Sequence, residues 1–189
     1  MDISVIITIA VVALAALSTI GLYNGIIGGH NRAQRAWSDV LAFERAKTKV
    51  LEALLEQAKL FKEYESKVVE TVTRLRSAIS GLPKEANGDA LETVERETKE
   101  LLGGLRVAFE AYPDLKASEV VNSLMREISE KQDNVAASIT IFNREVERFN
   151  NAIQMFPGSL VNSFLNKKTA INPFTDEAAS AGFEYRPNF

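Results

Sequence analysis

Residues 118–156, SEVVNSLMREISEKQDNVAASITIFNREVERFNNAIQMF, carry the pattern that decides the fold. Val121, Leu124, Ile128, Val135, Ile139, Phe142, Val146, Phe149, Ile153 and Phe156 recur at steps of three and four, the signature of one apolar helical face. The single gap in the series is filled by Gln132, a polar residue at a seam position, where such residues set register at some cost in stability. Ser118 is a good N-cap, and Pro157-Gly158 closes the segment. By rise per residue the helix is about 58 Å long. One amphipathic face of that length requires partner helices.

Upstream, the chain supplies them. Asn31 to Ser80 holds neither Pro nor Gly, and Trp37, Val40, Leu41, Leu51, Leu54, Leu55, Ala58, Phe61, Val68, Val72, Leu75 and Ile79 keep helical spacing. Read as one helix, it is about 75 Å long. Gly81-Leu82-Pro83 stops it, and Asn87-Gly88-Asp89 forms a turn cluster with an N-cap at its end. A shorter helix of about 34 Å runs from Ala90 to about Tyr112, with Leu91, Val94, Leu101, Leu102, Leu105 and Phe109 inward. Gly103-Gly104 in its middle suggests a close crossing. Tyr112-Pro113 ends it, as a reversal or as a kink. The expected fold is all-α, an antiparallel bundle of long, coiled-coil-like helices. Because the lengths do not match, the membrane-proximal end of the longest helix is expected to stand alone or to pack on other copies of the chain.

The bundle is hung from Ile3–Leu22, ISVIITIAVVALAALSTIGL, an uncharged run long enough to cross a hydrocarbon core as a helix. The chain opens Met1-Asp2-Ile3 with no positive n-region, which favours a retained anchor over a cleaved signal. Arg32, Arg35, Arg45, Lys47 and Lys49 follow the span, so the positive-inside rule places the N-terminus outside and the large domain in the cytoplasm. Gly21, Gly25 and Gly29 share one helical face at the exit, read either as a surface for self-association or as a hinge. Tyr23 suits the interfacial belt, whereas Trp37 lies about 22 Å past Leu22 and belongs to the bundle core. Three parts result: an anchor and glycine-rich exit over 1–29, a bundle over 30–168 and a tail over 169–189.

Within Ser159–Lys168, Leu160, Val161, Phe164 and Leu165 precede Lys167-Lys168, an amphipathic piece suited to a membrane surface or, more simply, to capping the bundle. Asn172 to Phe189 has two prolines with Phe174, Phe183, Tyr185 and Phe189, and is expected to dock on its own bundle or on a neighbouring subunit.

Composition narrows the function. A net charge of −3 offers no basic face for nucleic acid, and the absence of cysteine excludes disulfides, thiolate metal sites and a lipobox anchor. The single histidine, His30, has no second histidine to form a metal pair. No glycine-rich phosphate loop is present, since no Lys-Ser/Thr follows Gly28-Gly29. Glu95, Glu97, Glu127, Glu130, Glu145 and Glu147 scatter among Lys and Arg as on a solvated helix face. The reading is no enzyme, no cofactor and no metal.

Tyr23-Asn24, Asn31-Arg32, Ala36-Trp37-Ser38, Tyr112-Pro113-Asp114-Leu115-Lys116-Ala117-Ser118, Phe142-Asn143, Phe149-Asn150 and Phe156-Pro157 together resemble the LemA family of bacterial membrane proteins. In place of the family's RRYDLIPNL-like run stands Arg45 to Leu54, without proline, so any kink there should be absent. The resemblance implies a helical-bundle protein of the bacterial inner membrane with no established enzymatic activity. A magnetosome-associated, MamQ-like group within it suggests membrane shaping. Asn143 and Asn150, seven apart on one face, are read as forming interhelical hydrogen bonds rather than a ligand site. The functional expectation is a self-associating structural protein in contact with membrane lipid, with an adaptor for another membrane protein, such as a protease, as the alternative.

Overall fold

In the computed structural model the described residues are 2–58, 65–111 and 119–175. Tyr112, Pro113, Asp114 and Leu115, the core position Phe61, and Phe183, Tyr185 and Phe189 of the tail lie outside them, as do the side chains of Ala58 and Phe109. Helix α1 spans Ile3–Ala58, α2 Glu65–Ser80, α3 Leu91–Ala111 and α4 Glu119–Gln154. A short turn, α5 (Gly158–Val161), leads into a π-helical turn over Asn162–Asn166. No strand occurs among the described residues.

The expected helix over 31–80 is two helices. Arg76 on α2 pairs with Glu52 on α1 at 2.7 Å, and the Trp37 indole N–H donates to the Pro83 carbonyl at 3.0 Å, so α2 runs back along α1. No Gly or Pro punctuates that division, which is why the apolar spacing alone reads through it. Helix α3 runs outward again beside α2, tied by Arg74 to Glu97 and Glu100. Helices α3 and α4 run in opposite directions, and the reversal or kink expected at Tyr112-Pro113 lies outside the described residues.

Helix α4 lies antiparallel along α1. Trp37 meets Phe142 with ring centroids 5.2 Å apart, and His30 meets Phe149 edge-on at 5.4 Å. The part of α1 beyond Leu22 is as long as the 36-residue α4, so the two match end to end. The membrane-proximal end of α1 therefore does not stand alone: Ile26, Ala33, Ala36 and Trp37 are buried against its own α4 side. α1 is also unbroken through residues 45–54 and through all the exit glycines, which leaves no hinge there. Within the apolar run, the Thr8 and Thr19 hydroxyls donate to the carbonyls of Ser4 and Ala15, so these polar groups are satisfied inside the helix.

Two expectations about local packing are corrected. Gly103 and Gly104 make no close crossing; a Cβ on either meets nothing within 4 Å, and they line a groove of about 330 Å³ between α2 and α3. The turn at residues 87–89 is capped by Asn87, whose side chain accepts from the Asp89 amide at 3.2 Å, rather than by the residue at its end.

Midway along the bundle a polar cluster interrupts the apolar seam. Lys47 is fully buried, 3.0 Å from Glu44 Oε2, and donates to Thr98 Oγ1 at 3.2 Å and to Gln132 Oε1 at 2.7 Å. Gln132 in turn donates to Glu95 at 2.7 Å, so one side-chain network links α1, α3 and α4. Glu44 is equally buried, yet neither of its oxygens accepts a hydrogen bond among the described residues. Its one close polar partner is the Lys47 ammonium, 3.0 Å from Oε2. Burial pushes the Glu44 carboxyl above the ordinary carboxylate range; Lys47 pulls it back and Glu95 pushes it further up.

Removing one partner of such a pair strands the other. Lys47→Met should destabilise the bundle by about 3–5 kcal/mol in denaturant unfolding, and Lys47→Met with Glu44→Leu should recover most of that loss. A raised carboxyl pKa means the folded state holds its proton longer than the unfolded state does. The associated stability is present at low pH and is lost as pH rises from the ordinary Glu range through the raised value. Thermal melts of Glu44→Gln should therefore gain on the parent protein as pH rises through that window. A difference constant with pH would show that Glu44 does not titrate there.

Candidate functional site

The chain converges at one end of the bundle, where α1 leaves the apolar run and α4, α5 and the tail meet it. None of the most apolar window of α1 is buried. Gly21 and Gly25 sit at its end with open space around them, since a Cβ on either meets nothing within 4 Å. Gly29 is different: it is buried, and a Cβ there would rest 3.5 Å from the Phe149 ring. The expected glycine face is thus divided, with its last member packed inside the protein. Trp37 lies at the heart of the bundle, as its distance from the span requires, fully buried between Phe142 and the Pro83 carbonyl.

Asn143 and Asn150 do not bond between helices. Asn143 donates to the Phe174 carbonyl at 2.8 Å and accepts from the Phe174 amide at 2.9 Å. Asn150 does the same for Ile171, at 2.8 and 3.0 Å. Asn162 repeats the arrangement with Lys168, at 2.9 Å in both directions. Each carboxamide presents a donor and an acceptor side by side, as a neighbouring strand would. The spacing explains the match: seven helical residues rise about 10.5 Å, and three extended residues cover about 10 Å. The tail over 168–174 is consequently gripped at every third residue. This is docking on its own bundle, through residue 175 of the described chain.

The other side of the tail meets the 87–89 turn. The Gly88 amide donates to the Asn172 carbonyl at 2.8 Å, and Asn172 donates to Asp89 at 2.6 Å. Gly88 is required by the close approach, because a Cβ would collide with the Pro173 and Phe174 backbone. Gln34 holds the preceding loop in the same manner, donating to the Lys84 carbonyl at 2.6 Å and accepting from the Ala86 amide at 3.1 Å.

Charges surround this base. Glu145 is nearly buried and gathers Arg32 at 3.3 Å and Arg148 at 3.0 Å. His30 is held below its ordinary pKa, first by burial and then by the positive charge of Lys168, with a hydrogen bond to Asn31 opposing. At the very end, Gly158 comes so close to the Ala152 carbonyl that no Cβ fits. Pro157 precedes it on the surface. Phe156, expected on the inner face, is instead among the most exposed side chains, and Leu160, Phe164 and Leu165 are exposed as well. Only Val161 of that group is buried, so the 158–166 segment covers the bundle end while turning its apolar side outward. Among the described residues no group of three His, Asp or Glu side chains gathers where a metal could be held.

A helical bundle built on one apolar N-terminal helix, with an extended tail clamped along its last long helix, defines a class of membrane-associated α-helical proteins. The chain belongs to the LemA family, whose sequence profile matches residues 36–181. Protein LemA of Metamycoplasma hominis is 30% identical over 139 residues, which is 72% of this chain and 62% of that relative's own length. The chain thus spans less than two thirds of that relative. The LemA family is membrane-associated and is not a known enzyme family. Matching residues 36–181 take in Trp37, all three clamp asparagines and the tail they hold.

Loss of one clamp leaves two tail backbone groups unpaired, at a cost of about 1–3 kcal/mol. In hydrogen exchange on the full chain, Asn150→Ala should lower protection of the Ile171 amide by about fivefold or more. Asn151→Ala, on the exposed neighbour, should leave it unchanged. Equal protection in parent and Asn150→Ala proteins would mean the tail is held by other contacts.

Proposed function

We propose that the protein is a non-enzymatic structural component of the bacterial inner membrane that self-associates through its membrane helix and organises the bilayer beneath its bundle. The observation that carries this reading is the continuity of α1, one 56-residue helix shared by the apolar run and the bundle. Any association in the membrane is thereby transmitted to the bundle without a joint. Gly21 and Gly25 offer the approach surface, being exposed and unobstructed. Association through the bundle helices has less support than the sequence suggested, because α4 already covers the length of α1 that was expected to be unmatched. The orientation in this reading keeps the N-terminus outside and the bundle in the cytoplasm, on the strength of Arg32, Arg35, Arg45 and Lys49 together with Lys167 and Lys168 near the exit.

A second reading, an adaptor that recruits another membrane protein, is favoured by the groove between α2 and α3, lined by Val68, Leu101, Leu105 and Val107. Cysteine crosslinking in cells separates the two readings, since self-crosslinks alone favour the scaffold.

Size measurement of the full chain in mild detergent at about micromolar concentration should give an oligomer. Gly21→Leu with Gly25→Leu should weaken association at least about tenfold, near 1.4 kcal/mol. A parent protein that is monomeric under these conditions sinks the scaffold reading.

A further inference from the structure

The base of the molecule carries an apolar surface that its own fold leaves uncovered. Met155, Phe156, Leu160, Phe164 and Leu165 are 64%, 79%, 52%, 76% and 53% exposed, and all fall within the short segment from Met155 to Leu165. A soluble surface scatters such residues singly; a cluster of this kind marks a contact. Its position is set by α1. Met155, Phe156, Pro157 and Gly158 share a shallow cleft with Gly21, Leu22 and Gly25, the last turns of the apolar run. The Asn166 side chain donates to the Tyr23 carbonyl at 3.3 Å, fixing the far limb of the turn at the same height. The cluster therefore sits level with the point where α1 leaves the hydrocarbon.

The residues behind it have the opposite character. Lys167, exposed and in the left-handed conformation (φ 50°) that ends the π turn, is followed by Lys168, which faces His30. Arg148, with its side chain 61% exposed, lines the upper edge of the cleft. Apolar residues at the depth of the last turn of the span, with cations one step further out, are the arrangement of an interfacial element.

We propose that the Met155–Leu165 turn is a second membrane contact. Its Phe and Leu side chains enter the headgroup–acyl boundary of the bilayer that α1 crosses, and Lys167, Lys168 and Arg148 engage the headgroups of anionic lipids there. A second copy of the chain is a poorer occupant, because the cluster lies at bilayer height on the side of the cations. The inference rests on the reading of α1 as a membrane span, and its test reads the two separately.

The chain has no cysteine, so single cysteines can be placed at will. Full-length Phe164→Cys, Leu14→Cys and Ser129→Cys proteins, each carrying an environment-sensitive fluorophore, are reconstituted in phosphatidylcholine–phosphatidylglycerol vesicles containing acyl-chain quenchers. Position 164 should be quenched several-fold more than position 129, which lies on the exposed outer part of α4, and less than position 14 in the span. A nitroxide at position 164 should be more accessible to oxygen than to a water-soluble nickel chelate, which checks the result without the fluorophore. Replacing phosphatidylglycerol by phosphatidylcholine, or introducing Lys167→Glu with Lys168→Glu, should reduce quenching at 164 and leave 14 unchanged. Quenching at 14 with none beyond the position-129 level at 164 overturns the second contact and leaves the span intact. No quenching at either position overturns both.

Discussion

Everything in this molecule depends on the antiparallel contact between α4 and the membrane-distal part of α1. The contact is aromatic at its two membrane-side levels, Phe149 against His30 and Phe142 against Trp37, and polar at the third, where Gln132 reaches Lys47. Aromatic packing supplies burial without choosing a register, since one turn of slip still finds apolar neighbours. The buried ammonium does choose, because only one alignment of α4 brings Gln132 to it, beside Thr98 of α3 and Glu44 of its own helix. The cost is a buried carboxylate whose only close polar partner is that ammonium. Register, once set by this cluster, dictates which asparagines of α4 face the tail and brings the Met155–Leu165 turn to the height of Gly21.

An all-helical protein must still satisfy the backbone of its non-helical segments. Here the carboxamides of Gln34, Asn143, Asn150 and Asn162 each take one carbonyl and one amide, or a matched pair, from an extended segment beside them. Water would otherwise have to reach those groups, and Ile171 is buried. Asparagine suits the task on a helix because its short side chain holds the donor and acceptor at a fixed height. A longer, charged or purely accepting side chain at 143 or 150 would satisfy half the backbone unit and strand the other half.

Much of this architecture is legible in the chain itself. The α4 stripe, the apolar run and the buried Trp37 follow from spacing and distance alone. The gap between Leu41 and Leu51 in the α1 stripe was also a signal: Glu44 and Lys47 fall at steps of three and four within it, so a buried pair could have been inferred. The division between α1 and α2 left no such mark, because periodicity continues across it and nothing local breaks the helix. Phe156 misleads for a related reason. It keeps the period of α4, but the helix ends at Gln154, and the demand of Gly158 for close approach to Ala152 turns the chain away. The tail clamp was half visible: the seven-residue spacing of Asn143 and Asn150 shows a shared face, while the partner of that face comes from a segment without periodicity.

The consequence for the membrane follows from rigidity. A single helix crossing a bilayer fixes neither its rotation about its own axis nor the azimuth of its tilt, and a bundle carried on it inherits both freedoms. If α1 spans the membrane, the inheritance is complete, since α1 passes from the apolar run to the bundle without a break. A second contact removes those freedoms only if it is off the axis of the first and at the depth of the interface. The Met155–Leu165 turn meets the first condition, lying beside α1 at Gly21–Ile26 and held to it through Asn166 and Tyr23, and the proposed lipid contact would meet the second. With two such contacts the bundle would have a defined face toward the lipid and a defined face away from it. Copies gathered through Gly21 and Gly25 would then share one orientation, and an oriented array is what a protein needs in order to impose a shape on the bilayer rather than merely reside in it.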